Sequence, residues 1–375
     1  MVFFRIIFSV LLLIVVVCVV AIGSLVLFID PNKLKPVIIA EVMQKTGYQL
    51  LIDSQMSWSF YPKLGISAAH MQLKKPEQTE TFVDLYDVSI ATDLLQLLKG
   101  NKQLQGDVYI QKIKYLNVNA ERAHVGLKWQ NQILTLQPFT ASLYDGKIQG
   151  VIHGRELSAI PAWNWVIELN QVQVKPLLQD LYGTQNKLNL SGAGQVQMQG
   201  ETRGVTRNQI LSNLNGYTHF TLREGVLDGV DLNYFVESAD ALLSKQPVSL
   251  LVNTNKTVFE SLVGSATIKN GIADTNDLFL ISSSFSTKVI GRFDLVNQVI
   301  NFQLQIVPVH AAKLKWTIPL LLSGDLHHPE VGLDMVKLQT MITQDKLDKI
   351  KLKVKDKVKE LPDKVDKFLK KLMSE

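Results

Sequence analysis

Few residue types in this chain could do chemistry, and they are scattered. The densest group is His327-His328-Pro329-Glu330, whose imidazoles and carboxylate are metal-ligand types. Adjacent side chains on an extended segment point to opposite faces, and this stretch reads as a turn before Val331. Asp228, Asp231, Asp274 and Asp277 stand near turns, where Asp hydrogen-bonds local backbone; nothing pairs them as acid and base. Ser282-Ser283-Ser284 has no evident base partner, and no P-loop, G-x-S-x-G or H-E-x-x-H occurs. Gly192-Ala193-Gly194 lacks a third glycine and lies inside a strand pattern, so it is no dinucleotide fingerprint. The single cysteine, Cys18, sits in an apolar run, which excludes intrachain disulfides, cysteine-held zinc and iron–sulfur clusters. The expectation is a binder, conduit or scaffold with no cofactor and no metal.

Composition points the same way. The net charge of +5 over 375 residues is mild and does not suggest a nucleic-acid binder. The excess is uneven, because the tail after Val336 is rich in Lys. From Ile6 to Ile29 the chain is uncharged for about 24 residues, long enough to cross a bilayer core with some tilt. Ile6, Leu12, Val16, Val20, Leu25 and Ile29 are the apolar positions of that expected anchor. A cleaved signal peptide is the alternative, with Ala21 and Gly23 near a cut site, but the run continues past them.

Behind the anchor the elements are mostly strands. Pro31 opens a helical pattern through Leu34, Val37, Ile38 and Val42 that Gly47 stops. Strand patterns follow at Tyr48–Ile52, Met56–Phe60, Leu64–Leu73 and Phe82–Thr92, and then a short helix around Leu94–Leu98. The middle reads as strands at Asp107–Gln111, Ile113–Val118, His124–Trp129, Ile133–Leu136, Thr140–Tyr144, Lys147–His153, Trp163–Leu169 and Leu188–Met198. Turns are expected at Gln130-Asn131 and Asp145-Gly146, with Lys112 as a bulge or tight link. Lys175–Tyr182 and Thr206–Leu214 read as helices, the latter capped by Thr206. Leu214–Ile306 alternates apolar and polar residues around turns at Glu224-Gly225, Asn270-Gly271 and Asn297-Gln298, the pattern of an antiparallel meander. After Met335, Leu347, Ile350, Val354, Val358, Leu361, Val365, Phe368 and Leu372 form a helical stripe among Lys residues. That helix either lies on anionic lipid or a partner, or covers the end of the sheet. The organisation is an anchor at 1–30, β regions at 31–200 and 201–336 forming one continuous structure from about 48, and a helical tail at 337–375.

Several short motifs fall in a recognisable order. Asp30-Pro31-Asn32, Thr46-Gly47-Tyr48, Trp58 and Pro62 follow the apolar span. LNGYTHFTLREGVLDGVDL, a helix to Leu243, the strand pairs at Gly264 and Gly291, and LLLSGDLHHPEVGLD close the series. In order and placement this resembles the bacterial AsmA family, with a shorter middle than its best-known members. The resemblance implies a single inner-membrane helix in a Gram-negative bacterium and a periplasmic body. It also implies kinship with bridge-type lipid carriers such as chorein-domain proteins, and a part in moving phospholipid toward the outer membrane.

The fold class expected is therefore mainly β: a transmembrane helix, then an elongated, curled antiparallel sheet forming an open U-shaped groove, with a few short helices. An apolar sheet face is either ordinary core or, if the sheet stays open, a groove that acyl chains cover. The candidate groove positions are Ile148, Ile152, Leu190, Val196, Met198, Phe220, Leu222, Ile300, Phe302, Leu304 and Ile306. Expected partners are the membrane, phospholipid acyl chains and an outer-membrane or periplasmic protein, with no nucleic acid. A closed scaffold that assists assembly of outer-membrane proteins or lipopolysaccharide is the rival reading.

Overall fold

The computed structural model describes residues 30–46, 48–59, 65–74, 81–92, 104–156, 159–184, 187–243, 252–309, 317–334, 336–337 and 340. The anchor positions, the Leu94–Leu98 helix and the tail stripe from Leu347 to Leu372 lie outside these residues. No helix among the described residues is long and apolar enough to cross a membrane.

The chain enters through Asp30, whose carboxylate accepts the Asn32 N–H at 2.9 Å and caps a 3₁₀ turn, Pro31–Leu34. Asn32 then clamps the sheet: it donates to the Met56 carbonyl at 3.1 Å and accepts the Met56 N–H at 2.9 Å. The Asp-Pro-Asn motif thus joins the first helix, α1 (Lys35–Thr46), to the first sheet edge.

Seventeen strands follow among the described residues. The first nine are β1 (Gln49–Leu51), β2 (Met56–Ser59), β3 (Gly65–Lys74), β4 (Thr81–Thr92), β5 (Leu104–Tyr115), β6 (Val118–Gln130), β7 (Ile133–Leu143), β8 (Gly146–Arg155) and β9 (Ala162–Gln173). Helix α2 (Val174–Tyr182) leads to β10 (Asn189–Arg203), α3 (Arg207–Ser212) to β11 (Asn215–Asp228), and α4 (Leu232–Leu243) to β12 (Lys256–Lys269). Then come β13 (Ile272–Ile281), β14 (Phe285–Asp294), β15 (Val299–Pro308), β16 (Ile318–Asp325) and β17 (Glu330–Leu333).

The topology is one antiparallel meander. From β3 onward each strand pairs with the next in sequence, while β1 and β2 both lie along the free edge of β3. Among the described residues β17 pairs with β16 alone, so strand pairing leaves the sheet open. Laid flat, its fifteen steps of about 4.8 Å would span on the order of 70 Å. The sheet runs unbroken through residue 200, inside β10.

The structure corrects several sequence expectations. Asp107–Gln111 and Ile113–Val118 are not two strands: β5 passes straight through Lys112 and turns at Leu116-Asn117. Leu116 takes a φ of 54° there, and leucine gives no turn signal. Ile133–Leu136 and Thr140–Tyr144 are one strand with a register shift between Leu136 and Phe139, around Pro138. Two hairpins turn one residue later or earlier than expected, at Asn131-Gln132 and Tyr144-Asp145. Glu224-Gly225 is no hairpin. Glu224, at φ 50°, is the extra residue of a bulge inside β11, where the pairing with β10 shifts. Gly225 follows because a Cβ there would come within 2.2 Å of the Phe259 ring. The Asn270-Gly271 hairpin and the turn at 295–298 stand where expected. Thr206 caps α3 through a full capping box with Gln209.

Candidate functional site

Residues directly opposite each other in an antiparallel pair lie on the same face. Following those partners strand by strand traces continuous rows. One runs Ile148, Leu169, Val196, Phe220, Gly264. Another runs Ile152, Trp165, Gly200, Gly216, Ile268, Ala273, Phe293, Ile300, Gly324. A third runs Gly194, Leu222, Leu262, Leu280, Thr287, Ile306, Ile318. With Met198 opposite Ile167, Leu190 opposite Leu227, Phe302 opposite Leu322 and Leu304 opposite Leu320, all eleven candidate positions fall on one face. None of these rows contains a charged residue. Charged and titratable side chains meet on the other face, as in the ion pair of Arg292 with Asp274 and the 2.9 Å contact of the His124 ring with Asp107.

Burial divides this face into regions. At the N-terminal end α1 lays Ile38, Ile39 and Val42 over a core of Leu50, Met56, Met71, Val88 and Ile110. Between β6 and β10, Leu143, Leu169 and Val172 are buried with Leu177 of α2 against them. Beyond them Leu136, Phe139, Ile152, Trp163, Trp165, Ile167, Val196 and Met198 remain only half-buried. Trp163 and Trp165 do share a face, and the Trp165 ring lies over Gly200, where a Cβ would meet it at 2.9 Å.

The C-terminal strands differ. Leu222 is 4% exposed, Ile300 3%, Leu304 6% and Ile306 0%. All but Ile300 join one cluster with Phe259, Leu280, Phe285, Ile318, Leu320 and, from α4, Leu232. Leu188 and Leu190, beside and in β10, pack on the same cluster as Val331 and Leu333 of β17. The Lys187 N–H, just before β10, donates to the His327 carbonyl in the β16–β17 turn at 3.3 Å. Six strand steps would separate those residues by about 29 Å on a flat sheet. This part of the sheet therefore folds its apolar face upon itself.

Polar groups at the ends of the sheet hold helices and turns. Asp231 caps α4: its carboxylate accepts the Tyr234 N–H at 3.0 Å, and the Thr254 N–H and hydroxyl at 2.9 and 2.6 Å. Burial pushes its pKa up, but these donors outweigh burial and hold it below the usual carboxylate value. The Tyr144 hydroxyl donates to Asp180 of α2 and accepts the Asn119 N–H. Burial first, then the Asp180 carboxylate, pushes it up to about 12. His327 sets its ring against Gln298 at 2.9 Å, and its N–H donates to Asp325, so it serves the β16–β17 turn. No group of three or more His, Cys, Asp or Glu among the described residues is placed to hold a metal. Asp277 lies inside β13 and accepts the Ser265 N–H and hydroxyl across the β12–β13 pair, a cross-strand bond rather than the local turn bond expected.

The eleven candidate positions include none on β9 or on β12 to β14, although Trp165, Leu169 and Leu280 lie in the traced rows, Ile167 lies opposite Met198, and Phe259 and Phe285 belong to the buried cluster. The alternation Trp-Asn-Trp-Val-Ile-Glu-Leu at 163–169 was the available signal. On β12 and β13 bulges break the alternation.

Fold and face together define an open antiparallel meander built around one long apolar surface. The chain belongs to the AsmA family, whose model matches residues 3–106 and 99–278. It is also similar to Protein AsmA of Escherichia coli (strain K12), 30% identical over 88 residues, which is 24% of this chain and 14% of that protein. The chain thus matches only a small part of the length of that relative. No solved structure matches it significantly.

Proposed function

We propose that this protein is a bacterial envelope protein that carries phospholipid toward the outer membrane. Its apolar face, curled into a groove, holds the acyl chains. An N-terminal span fixes it in the inner membrane, and the sheet stands in the periplasm. The observation that carries the reading is the uncharged face, traced by register through strand after strand without a break. Membership of the AsmA family supports the same reading. Such a surface keeps tails out of water while head groups stay solvated, so a lipid advances without any step that exposes its tails. No residue acts as a catalyst in this scheme.

A rival reading is a scaffold for assembly of outer-membrane proteins or lipopolysaccharide, favoured by the dense packing around Phe285 and Ile306. The test reconstitutes the full chain in donor vesicles and follows transfer of a fluorescent phospholipid to acceptors. Met198→Glu puts a charge on the half-buried part of the face and is expected to abolish transfer while the protein stays folded. Undiminished transfer by a folded Met198→Glu protein, or none by the unmodified protein, overturns the conduit.

A further inference from the structure

The apolar face is continuous in register but not in accessibility. From β11 to β16 the row through Leu222, Leu280, Ile306 and Ile318 is filled by the protein's own side chains: Phe285 and Ile306 have no exposed surface, and Leu320 has 1%. Helix α4 adds Leu232 to that cluster, and the Lys187–His327 hydrogen bond pins the fold-over. Between β6 and β11 the outer part of the same face is half-buried and rich in rings, with Phe139, Trp163 and Trp165 beside Ile152 and Met198.

Resting on the conduit reading above, we propose that β11–β17 with α4 form a sealed lobe. Acyl chains are then held only on the β6–β11 part of the face, and they enter and leave it sideways at the β10–β11 shoulder rather than end-on through the C-terminal strands. Five steps of about 4.8 Å make this part about 24 Å wide. One leaflet's tails span about 15 Å, half of a ~30 Å hydrocarbon core, so the tails of a single phospholipid fit lengthwise. The occupant is a tail rather than a peptide because the rows there offer no charge and little polarity to an incoming backbone, whose amides would go unpaired.

The test places a diazirine analogue of leucine or methionine at Ile152, Met198, Leu304 or Leu320 of the full chain in its native membrane. After irradiation, mass spectrometry reads what is attached. Resistance to limited trypsin identifies folded samples, and two lobe positions ensure that one tolerated change suffices. Phospholipid adducts at Ile152 and Met198 at least tenfold above those at Leu304 and Leu320 are expected. Equal adducts at all four positions overturn the sealed lobe while leaving the conduit standing. Adducts at none, or peptide adducts at Ile152 and Met198, overturn the conduit and the sealed lobe together.

Discussion

Phe285→Ala measures how tightly the C-terminal strands are packed. Phe285 begins β14 with no exposed surface, in a cluster whose other members come from six strands and from the start of α4. Removing its ring loses the transfer energy of a buried aromatic and leaves a cavity that β-sheet neighbours cannot readily fill. The cost of such a change is about 3–5 kcal/mol. At 1.4 kcal/mol per tenfold, that raises the population of the opened lobe by between about two and four powers of ten. Native-state hydrogen exchange reads this directly, as faster exchange of amides in β13–β16 through opening of the lobe. Amides of β3–β6 belong to a separate cluster and should keep their rates. Met198→Ala, at a half-buried site, should cost less than half as much and leave β13–β16 unchanged. A change below tenfold in β13–β16 after Phe285→Ala would show that the lobe is loose, and the sealed-lobe reasoning would fall with it.

Four further outcomes are expected. Thr287→Val removes a buried hydroxyl that has no partner among the described residues, at nearly constant shape, and should stabilise the lobe by about 1 kcal/mol in urea unfolding; a loss of stability would place a further partner at that oxygen. Asp231→Ala removes the cap of α4 and strands Thr254, at a cost of about 1–3 kcal/mol. Because folding lowers the Asp231 pKa, its contribution is whole above the unfolded value near 4 and fades as pH falls through the folded value; the difference between wild type and Asp231→Ala, measured by unfolding from pH 6 to pH 2, should shrink over that range. Folding raises the Tyr144 pKa, so its contribution is whole below about pH 10 and is lost as pH rises toward 12; Tyr144→Phe should remove the last-titrating phenol from the ultraviolet titration. Gly225→Ala drives a methyl into the Phe259 ring and should destabilise the lobe by about 1–3 kcal/mol, with Phe259→Leu restoring part of the loss.

How much of this was legible beforehand depends on what kind of signal each feature leaves. Alternation is local, so the candidates on β8, β10, β11 and β15 could be placed on a common face, because antiparallel neighbours keep period two in step. Bulges break that step. Glu224 read as a hairpin turn because Glu-Gly after an alternating run looks like one; only pairing on both sides shows that β11 continues past it. Leu116-Asn117 was missed for the opposite reason, since Leu at positive φ is held by its neighbours and not by its own preference. Openness and closure leave no local trace at all. Ile152 and Ile306 carry the same residue type in the same kind of alternating strand, yet one is half-buried and the other has no exposed surface. What separates them is accumulated twist and bulging over several strands, enough to bring Lys187 to His327. Each step contributes a few tens of degrees at most, so the closure is a property of the sum. That is why an apolar face read from sequence is a reliable inventory of positions but cannot by itself divide core from groove, and why the dividing line near β11 had to come from the structure.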